Sequence, residues 1–202
     1  MKLITPALLA LFLLATSGAT LAQSWLRVAD TALARQEIYP TVLDGKIYVA
    51  GGILSAAPGF TDLFESYDAA TDRWTRLAAL PEGRHHIALA AAGGKIYGIG
   101  GFSGAIPDWR AHASVIVYDP KADRWSGGPS LPQARAEGVV ATIGEKIYVV
   151  GGRIPTGAQA KHISEHADTN RAEALDLRSG RWERIADAPS ARNSAAGAVI
   201  GN

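Results

Sequence analysis

Three stretches of this chain repeat one phrase in one register, and that repetition constrains the fold more than any other feature. Residues 44–52 read Asp-Gly-Lys-Ile-Tyr-Val-Ala-Gly-Gly, residues 93–101 Gly-Gly-Lys-Ile-Tyr-Gly-Ile-Gly-Gly, and residues 144–152 Gly-Glu-Lys-Ile-Tyr-Val-Val-Gly-Gly. Each is followed by an Asp (Asp68, Asp119, Asp176), a Trp six residues later (Trp74, Trp125, Trp182) and a Pro seven after that (Pro81, Pro132, Pro189). An Arg stands three residues beyond each Pro: Arg84, Arg135 and Arg192. Arg35, Arg84 and Arg135 each precede the next double glycine by 16 residues, and Trp25 precedes Arg35 by the 10 residues that separate Trp74 from Arg84. The only interval that changes runs from the second Gly to the Asp, at 16, 18 and 24 residues. A rigid frame with one variable loop is the signature of a stacked supersecondary unit.

Each unit reads as four short strands. A small apolar run such as Ile87-Ala88-Leu89-Ala90-Ala91 is strand a, and a tight turn follows, clearest at Asp44-Gly45. Strand b is Lys-Ile-Tyr-x-x, ended by Gly-Gly; strand c holds Phe64-Glu65-Ser66-Tyr67 or Val115-Ile116-Val117-Tyr118; strand d carries the Trp. No stretch sustains a 3.6-residue period. Four strands per 49–57 residues predict an all-β propeller built from four-stranded antiparallel blades.

These motifs resemble the kelch repeat family, whose unit carries a double Gly after an apolar strand, then Tyr-Asp, then a spaced Trp. The resemblance covers residues 24–200, with two departures: Ala174-Leu175-Asp176 in place of Tyr-Asp, and Ala188-Pro189 in place of Leu-Pro. It implies an outer strand at about 24–28, blades at about 35–78, 84–129 and 135–186, and the first strand of a further blade at about 192–200. Three complete blades do not close a ring, since propellers use roughly 4–8. The expectation is therefore the N-terminal part of a longer propeller, in which residues 24–28 complete the last blade. The alternative is a half-ring that pairs with a second copy.

The first 22 residues have the layout of a secretory signal peptide: Lys2, an apolar run over 3–15, and small residues over 16–22 before Gln23. Cleavage is expected after Ala22, with Ala19 the alternative, and the apolar run is shorter than the ~20 residues a spanning helix needs. Export to a periplasm or the medium follows, with no membrane anchor after cleavage. The remaining chain has 19 basic and 19 acidic residues, which argues against nucleic acid and anionic membranes as partners. There is no cysteine, hence no disulfide, no thiolate nucleophile and no Cys-ligated metal.

In an a-b-c-d meander the b–c and d–a connections share one mouth of the ring, and the variable loops put function there. In several kelch proteins the residues just after the double Gly and beside the repeat Arg touch the ligand; by position, the resemblance points to Arg153, Phe102, His85 and Asn193. The residues themselves add His86, a second imidazole beside His85, and Trp109, either a sugar-stacking platform or a lid on its own blade. Arg153 stands where Ile53 and Phe102 stand in the other units; it offers a guanidinium for a carboxylate, or a solvated loop residue. His162-Ile163-Ser164-Glu165-His166 spells H-x-x-E-H, but that zinc-hydrolase motif needs one helical face. In a strand-only protein a solvated polar loop is expected there, and no metal or other cofactor. The repeat Arg itself is expected to anchor the d–a turn.

Two classes of function follow from the resemblance. One is an exported binding module that presents its mouth to a protein or a carbohydrate. The other is a sugar-processing enzyme of the sialic acid mutarotase type, with Arg153 and an acid/base drawn from His85, His86, Glu165 or His166. Copper-radical chemistry of the galactose oxidase type needs a Cys–Tyr cross-link whose Cys comes from the early part of the propeller, and the lack of cysteine here argues against it.

Overall fold

The turns fold as their residues require. Asp44 and Gly45 both take positive φ, 49° and 75°, as do Gly93 and Gly94 at 56° and 71°. That is the twist of a two-residue hairpin connection. The computed structural model describes residues 24–55 and 59–200. The expected leader, with its cleavage point after Ala22, lies outside the described residues, as does Pro58 at the tip of the first variable loop.

The first unit contains β1 (Arg35–Gln36), β2 (Thr41–Leu43), β3 (Lys46–Ala50), β4 (Ile53–Leu54), β5 (Phe64–Asp68) and β6 (Arg73–Arg76). The second contains β7 (Ala88–Ala92), β8 (Lys95–Ile99), β9 (Phe102–Ser103), β10 (Arg110–Ala111), β11 (Val115–Asp119) and β12 (Arg124–Gly127). The third contains β13 (Val139–Ile143), β14 (Lys146–Val150), β15 (Arg153–Pro155), β16 (His166–Asp168), β17 (Ala172–Asp176) and β18 (Arg181–Arg184). Three antiparallel sheets result, ordered β2-β3-β5-β6, β7-β8-β11-β12 and β13-β14-β17-β18. These are the expected a-b-c-d blades, and the innermost strands β2, β7 and β13 lie beside one another. The short pairs β1–β4, β9–β10 and β15–β16 form a second tier at the mouth.

The blades are held by face-to-face burial. Tyr48 and Phe64 of the first meet Ile87, Ile96 and Tyr118 of the second. Ala90 and Ile99 of the second meet Ile147, Val149 and Leu175 of the third. Phe64 packs edge-on to Tyr118 with centroids 4.7 Å apart and lies 4.8 Å from the Trp125 ring. Buried aromatics of this kind contribute the largest apolar areas in a small domain, about 150–250 Å² each.

Two expected strands are absent among the described residues. Residues 24–28 run without a ladder and Trp25 is fully exposed. Residues 192–200 likewise form no strand. The reason is the same at both ends: a strand needs a neighbour's row of N–H and C=O groups, and neither segment has one among the described residues. Among the described residues there is also a helical element not anticipated, a 3₁₀ turn at Ile163–Glu165.

Candidate functional site

The double glycines and the repeat arginines together build the mouth. The second Gly of each pair donates its N–H to the carbonyl of the next blade's Arg: Gly52 to Arg84 (2.8 Å), Gly101 to Arg135 (3.0 Å) and Gly152 to Arg192 (2.8 Å). The guanidinium groups of Arg35, Arg84 and Arg135 turn inward as anchors, whereas Arg192 is exposed and bonds to Ser190 Oγ. Arg35 reaches the Gly51 and Leu63 carbonyls and the Glu65 carboxylate at 2.5 Å, and Arg135 reaches Glu173 at 2.8 Å. Arg84 holds the Gly100 carbonyl and Ser114 Oγ. These arginines are therefore struts, as expected.

Anchoring the Arg fixes the two residues after it. The first pairs with the residue that follows the double Gly: Gln36 with Ile53, His85 with Phe102, and Ala136 with Arg153. Of the residues chosen by resemblance, His85 and Phe102 are thus cross-strand partners, and Arg153 pairs with Ala136. The second residue takes a left-handed backbone in every unit: Glu37 (φ 59°), His86 (54°), Glu137 (60°) and Ser194 (47°). Their backbones link blade to blade, Ser194 N–H to Glu137 O, Glu137 N–H to His86 O and His86 N–H to Glu37 O, so the four form an arc around the axis.

That arc carries a polar cluster. His86 Nε2 lies 3.0 Å from Glu37 Oε2 and 3.6 Å from Glu137 Oε1. Arg153 Nε lies 3.4 Å from Glu137 Oε2 and 3.3 Å from Asp168 Oδ1. Asn193 Nδ2 donates to Asp168 Oδ1 at 2.7 Å, and Ser194 Oγ donates to Glu137 Oε2 at 3.2 Å. Burial pushes the Glu137 carboxyl up, with Arg153 opposing. Arg153 is 29 % exposed, and its Nε faces two carboxylates, Glu137 and Asp168.

Beside the axis, a cavity of about 390 Å³ opens between the variable loops of the first two blades, lined by Ile53, Phe60, His85, Ile106 and Trp109 among others. His85 is 1 % exposed. Its Nδ1 lies 2.6 Å from His86 Nδ1. Burial drops His85 to about 4 and His86 to about 3, the latter helped by His85 and Arg153, so both rings are neutral near pH 7. Trp109 and Phe102 stack at 5.2 Å, and His166 meets Phe102 edge-on at 5.0 Å. Phe102 is wholly buried, so it supports the wall instead of touching a ligand. Trp109 packs against Phe102 of its own blade and also lines the cavity.

The H-x-x-E-H loop is not solvated throughout. Glu165 accepts the backbone N–H groups of Lys161 and His162, and the His162 ring accepts from Ser164 N–H, a capping box that closes the 3₁₀ turn. His166 is buried, with Nδ1 donating to the His162 carbonyl at 3.0 Å. Turn-building consumes the motif. Among the described residues no cluster of three His, Asp or Glu side chains is arranged to hold a metal ion.

Glu37 and Glu137 were not singled out from the sequence. The signal was present: both stand two residues beyond the repeat Arg, as His86 does.

The kelch motif matches residues 40–81, 83–132 and 134–189, most of the chain. The chain belongs to the kelch repeat family. Among kelch relatives, the Kelch-like protein terF of Aspergillus terreus is 30 % identical over 89 residues, 43 % of this chain and 19 % of that protein. Human Kelch-like protein 34 is 33 % identical over 87 residues, 43 % of this chain and 12 % of that protein. The F-box/kelch-repeat protein At2g44630 of Arabidopsis thaliana is 31 % identical over 90 residues, 44 % of this chain and 21 % of that protein. The chain thus spans about a fifth or less of the length of these kelch proteins. A solved structure, titled Structure of YjhT, superposes with a TM-score of 0.63 at 21 % identity, over 79 % of this chain and 56 % of that one. At that identity the likeness is one of fold.

Proposed function

We propose that this kelch chain is an exported binding module that takes a protein or carbohydrate ligand at the b–c/d–a mouth. The observation that carries the reading is the asymmetry of the two mouths. One has only tight turns, Asp44-Gly45, Gly93-Gly94 and Gly144-Glu145; the other gathers the three extra strand pairs, the polar arc and the aromatic cavity. Binding surfaces sit where variable loops crown a rigid scaffold. Export rests on the leader-like layout of residues 1–22; mass spectrometry of the secreted chain is expected to find Gln23 first.

The test is saturable binding to immobilised neutral and acidic glycans and to peptide libraries, compared across two variants. Arg153→Ala with Trp109→Ala alters the mouth; Lys95→Ala with Lys146→Ala alters the far side. Binding lost only in the first supports the reading, and binding lost only in the second refutes it.

One observation favours the sugar-processing reading. The contact order Glu37–His86–His85 leads from a carboxylate to a cavity wall, and such a file can move a proton. Polarimetry decides: faster anomer interconversion that disappears in His85→Phe and Arg153→Ala supports an enzyme. Rates equal to buffer alone across neutral and acidic sugars leave the binding module.

A further inference from the structure

Given the ligand-binding reading of the mouth, on which this step rests, we infer that a second cleft, between the variable loops of the second and third blades, is a site for a doubly charged oxyanion held by Arg110 and Lys161. The ligand is phosphate, either free or as the monoester of a small sugar. Charge, architecture and the competing surfaces of the mouth each support it.

The cleft encloses about 430 Å³, with Arg110, Ala111 and Ala134 on one side and Pro155 and residues 157–161 on the other. Apart from the two cations and Gln159, its walls are Ala, Gly and Pro, so space is left where longer side chains would otherwise stand. Arg110 and Lys161 are exposed, and neither side chain has a hydrogen bond or ion pair among the described residues. Lys95 and Arg153, by contrast, already face carboxylates, Asp119 for the one and Glu137 with Asp168 for the other. No acidic residue lines the cleft. Glu165, the acid nearest Lys161 in the chain, turns its Oε2 to the backbone N–H groups of Lys161 and His162. Two uncompensated cations on one cleft call for two negative charges, and a phosphate monoester carries about −1.5 to −2 near pH 7. A sulfate ester or a carboxylate brings one. Arg grips phosphate oxygens through paired N–H donors, and Lys adds a point charge.

The walls are fixed in place. Arg110 and Ala111 are laddered to Ser103 and Phe102. Ile163 donates its N–H to the Pro107 carbonyl at 3.0 Å, tying the third blade's loop to the second's. Thr156 N–H to Glu165 O at 2.9 Å and Ala160 N–H to Gly157 O at 3.1 Å close the loop that carries Lys161. The positive field is also felt inside the second blade: burial first, then Arg84 and Arg110, hold His112 below its ordinary range, with Glu82 opposing.

The rest of the mouth offers an anion less. On the axis Glu37, Glu137 and Asp168 surround a single cation, Arg153. The cavity between the first two blades has no charged lining residue, so an oxyanion entering it loses hydration with no opposite charge in return.

The test is amide shift mapping on the whole chain in low-salt, phosphate-free buffer. Glucose 6-phosphate, inorganic phosphate, glucose 6-sulfate and glucuronate are each titrated to about 50 mM, enough to reveal millimolar binders. The two phosphates are expected to move the amides of 110–111 and 155–161 saturably, and to bind at least about threefold more tightly than the sulfate ester or glucuronate. Tighter binding of glucose 6-phosphate identifies the monoester as the ligand, and equal affinity identifies free phosphate. Arg110→Gln and Lys161→Gln, at exposed positions where folding is retained, are each expected to weaken binding at least about fivefold. The double variant is expected to lose saturation, and about 0.5 M NaCl to weaken the wild type. Lys121→Gln with Arg124→Gln, on the far side, is expected to change nothing. No saturable shift with either phosphate, equal binding of the sulfate ester, binding that survives the double variant, or shifts centred on His85, His86 and Arg153 overturns the inference. Each of those outcomes leaves the mouth reading intact. That reading fails separately, if ligands found in the glycan and peptide screen ignore the mouth variant.

Discussion

The Trp74 indole N–H donates to the Ala29 carbonyl at 2.8 Å, across the boundary between the first blade and the segment before it. Trp125 does the same to Ala78 and Trp182 to Pro129, both at 2.9 Å. Each acceptor lies four residues after the Trp one unit earlier, Trp25, Trp74 and Trp125. Ala29 thus docks where the residue after an outer strand would, although residues 24–28 stay exposed and form no strand. Trp125→Phe removes this bond and trims the stack on Phe64 and Tyr118, so it is expected to cost about 1–3 kcal/mol in urea unfolding. Trp25→Phe, on an exposed ring, is expected to stay within about 0.5 kcal/mol.

A second set of contacts crosses the same seams. Asp123 Oδ1 accepts from the Tyr118 hydroxyl and from the Ala78 N–H, and Asp72 accepts likewise from Tyr67 and Ala29. In the third blade the three positions are Gly180, Leu175 and Pro129. Pro129 has no N–H and Leu175 no hydroxyl, so the missing carboxylate leaves nothing unpaired. The departure from Tyr-Asp is thereby explained. Asp123→Ala, which strands two donors at a left-handed position, is expected to cost about 1–3 kcal/mol. Gly180→Asp is expected to give no gain, and equilibrium unfolding of both variants checks the contrast.

Gly100 holds φ at 60°, and a Cβ there would stand 2.0 Å from the Arg135 carbonyl oxygen. Gly45, at φ 75°, would meet nothing within 4 Å. Gly45→Ala therefore bears only the backbone penalty, about 1–2 kcal/mol. Gly100→Ala must also force the second and third blades apart, and a clear loss of cooperative unfolding by circular dichroism is the expected result.

The blades were legible because their determinants are local: turn dipeptides, period-two strands and a Trp at fixed spacing. The seams were only half legible. The frame marked Arg84 and Arg135 as anchors, but the buried carboxylates that meet Arg35 and Arg135, Glu65 and Glu173, are replaced by Ile116 in the second blade and so do not repeat. At the mouth, position relative to the Arg located His85 and Asn193. Glu37 and Glu137 were marked only by their place two residues beyond the repeat Arg; that this place takes a left-handed backbone, which re-aims the side chain, is not written in the residue types, since Glu, His and Ser all occupy it. His166 was read as solvated because nothing in its own segment reveals that Phe102, 64 residues earlier, packs against it.

Acid sensitivity should follow from the buried imidazoles. In the unfolded chain a histidine titrates near 6.5, whereas folding lowers His85 to about 4 and His86 to about 3. Between those values the unfolded chain binds more protons, so stability is full above about pH 6.5 and falls as the pH drops towards the folded values. The groups facing the pair are Glu37, Glu137, Arg153 and Tyr39. Glu137, pushed up by burial, works in the opposite sense just above its ordinary range. The histidines are expected to dominate, with a loss on the order of 2 kcal/mol per imidazole between pH 7 and 4.5. Urea midpoints across that range should fall, and His85→Phe should flatten the fall.

Amide shift mapping during a methyl glycoside titration tests the assignment of the working mouth most directly. The account predicts that perturbed amides cluster at residues 53–55, 84–86, 102–111, 153–155 and 193, with the turns at 44–45, 69–72, 93–94, 120–123 and 144–145 silent. Shifts concentrated in those turns, with His85, His86 and Trp109 unmoved, would contradict it.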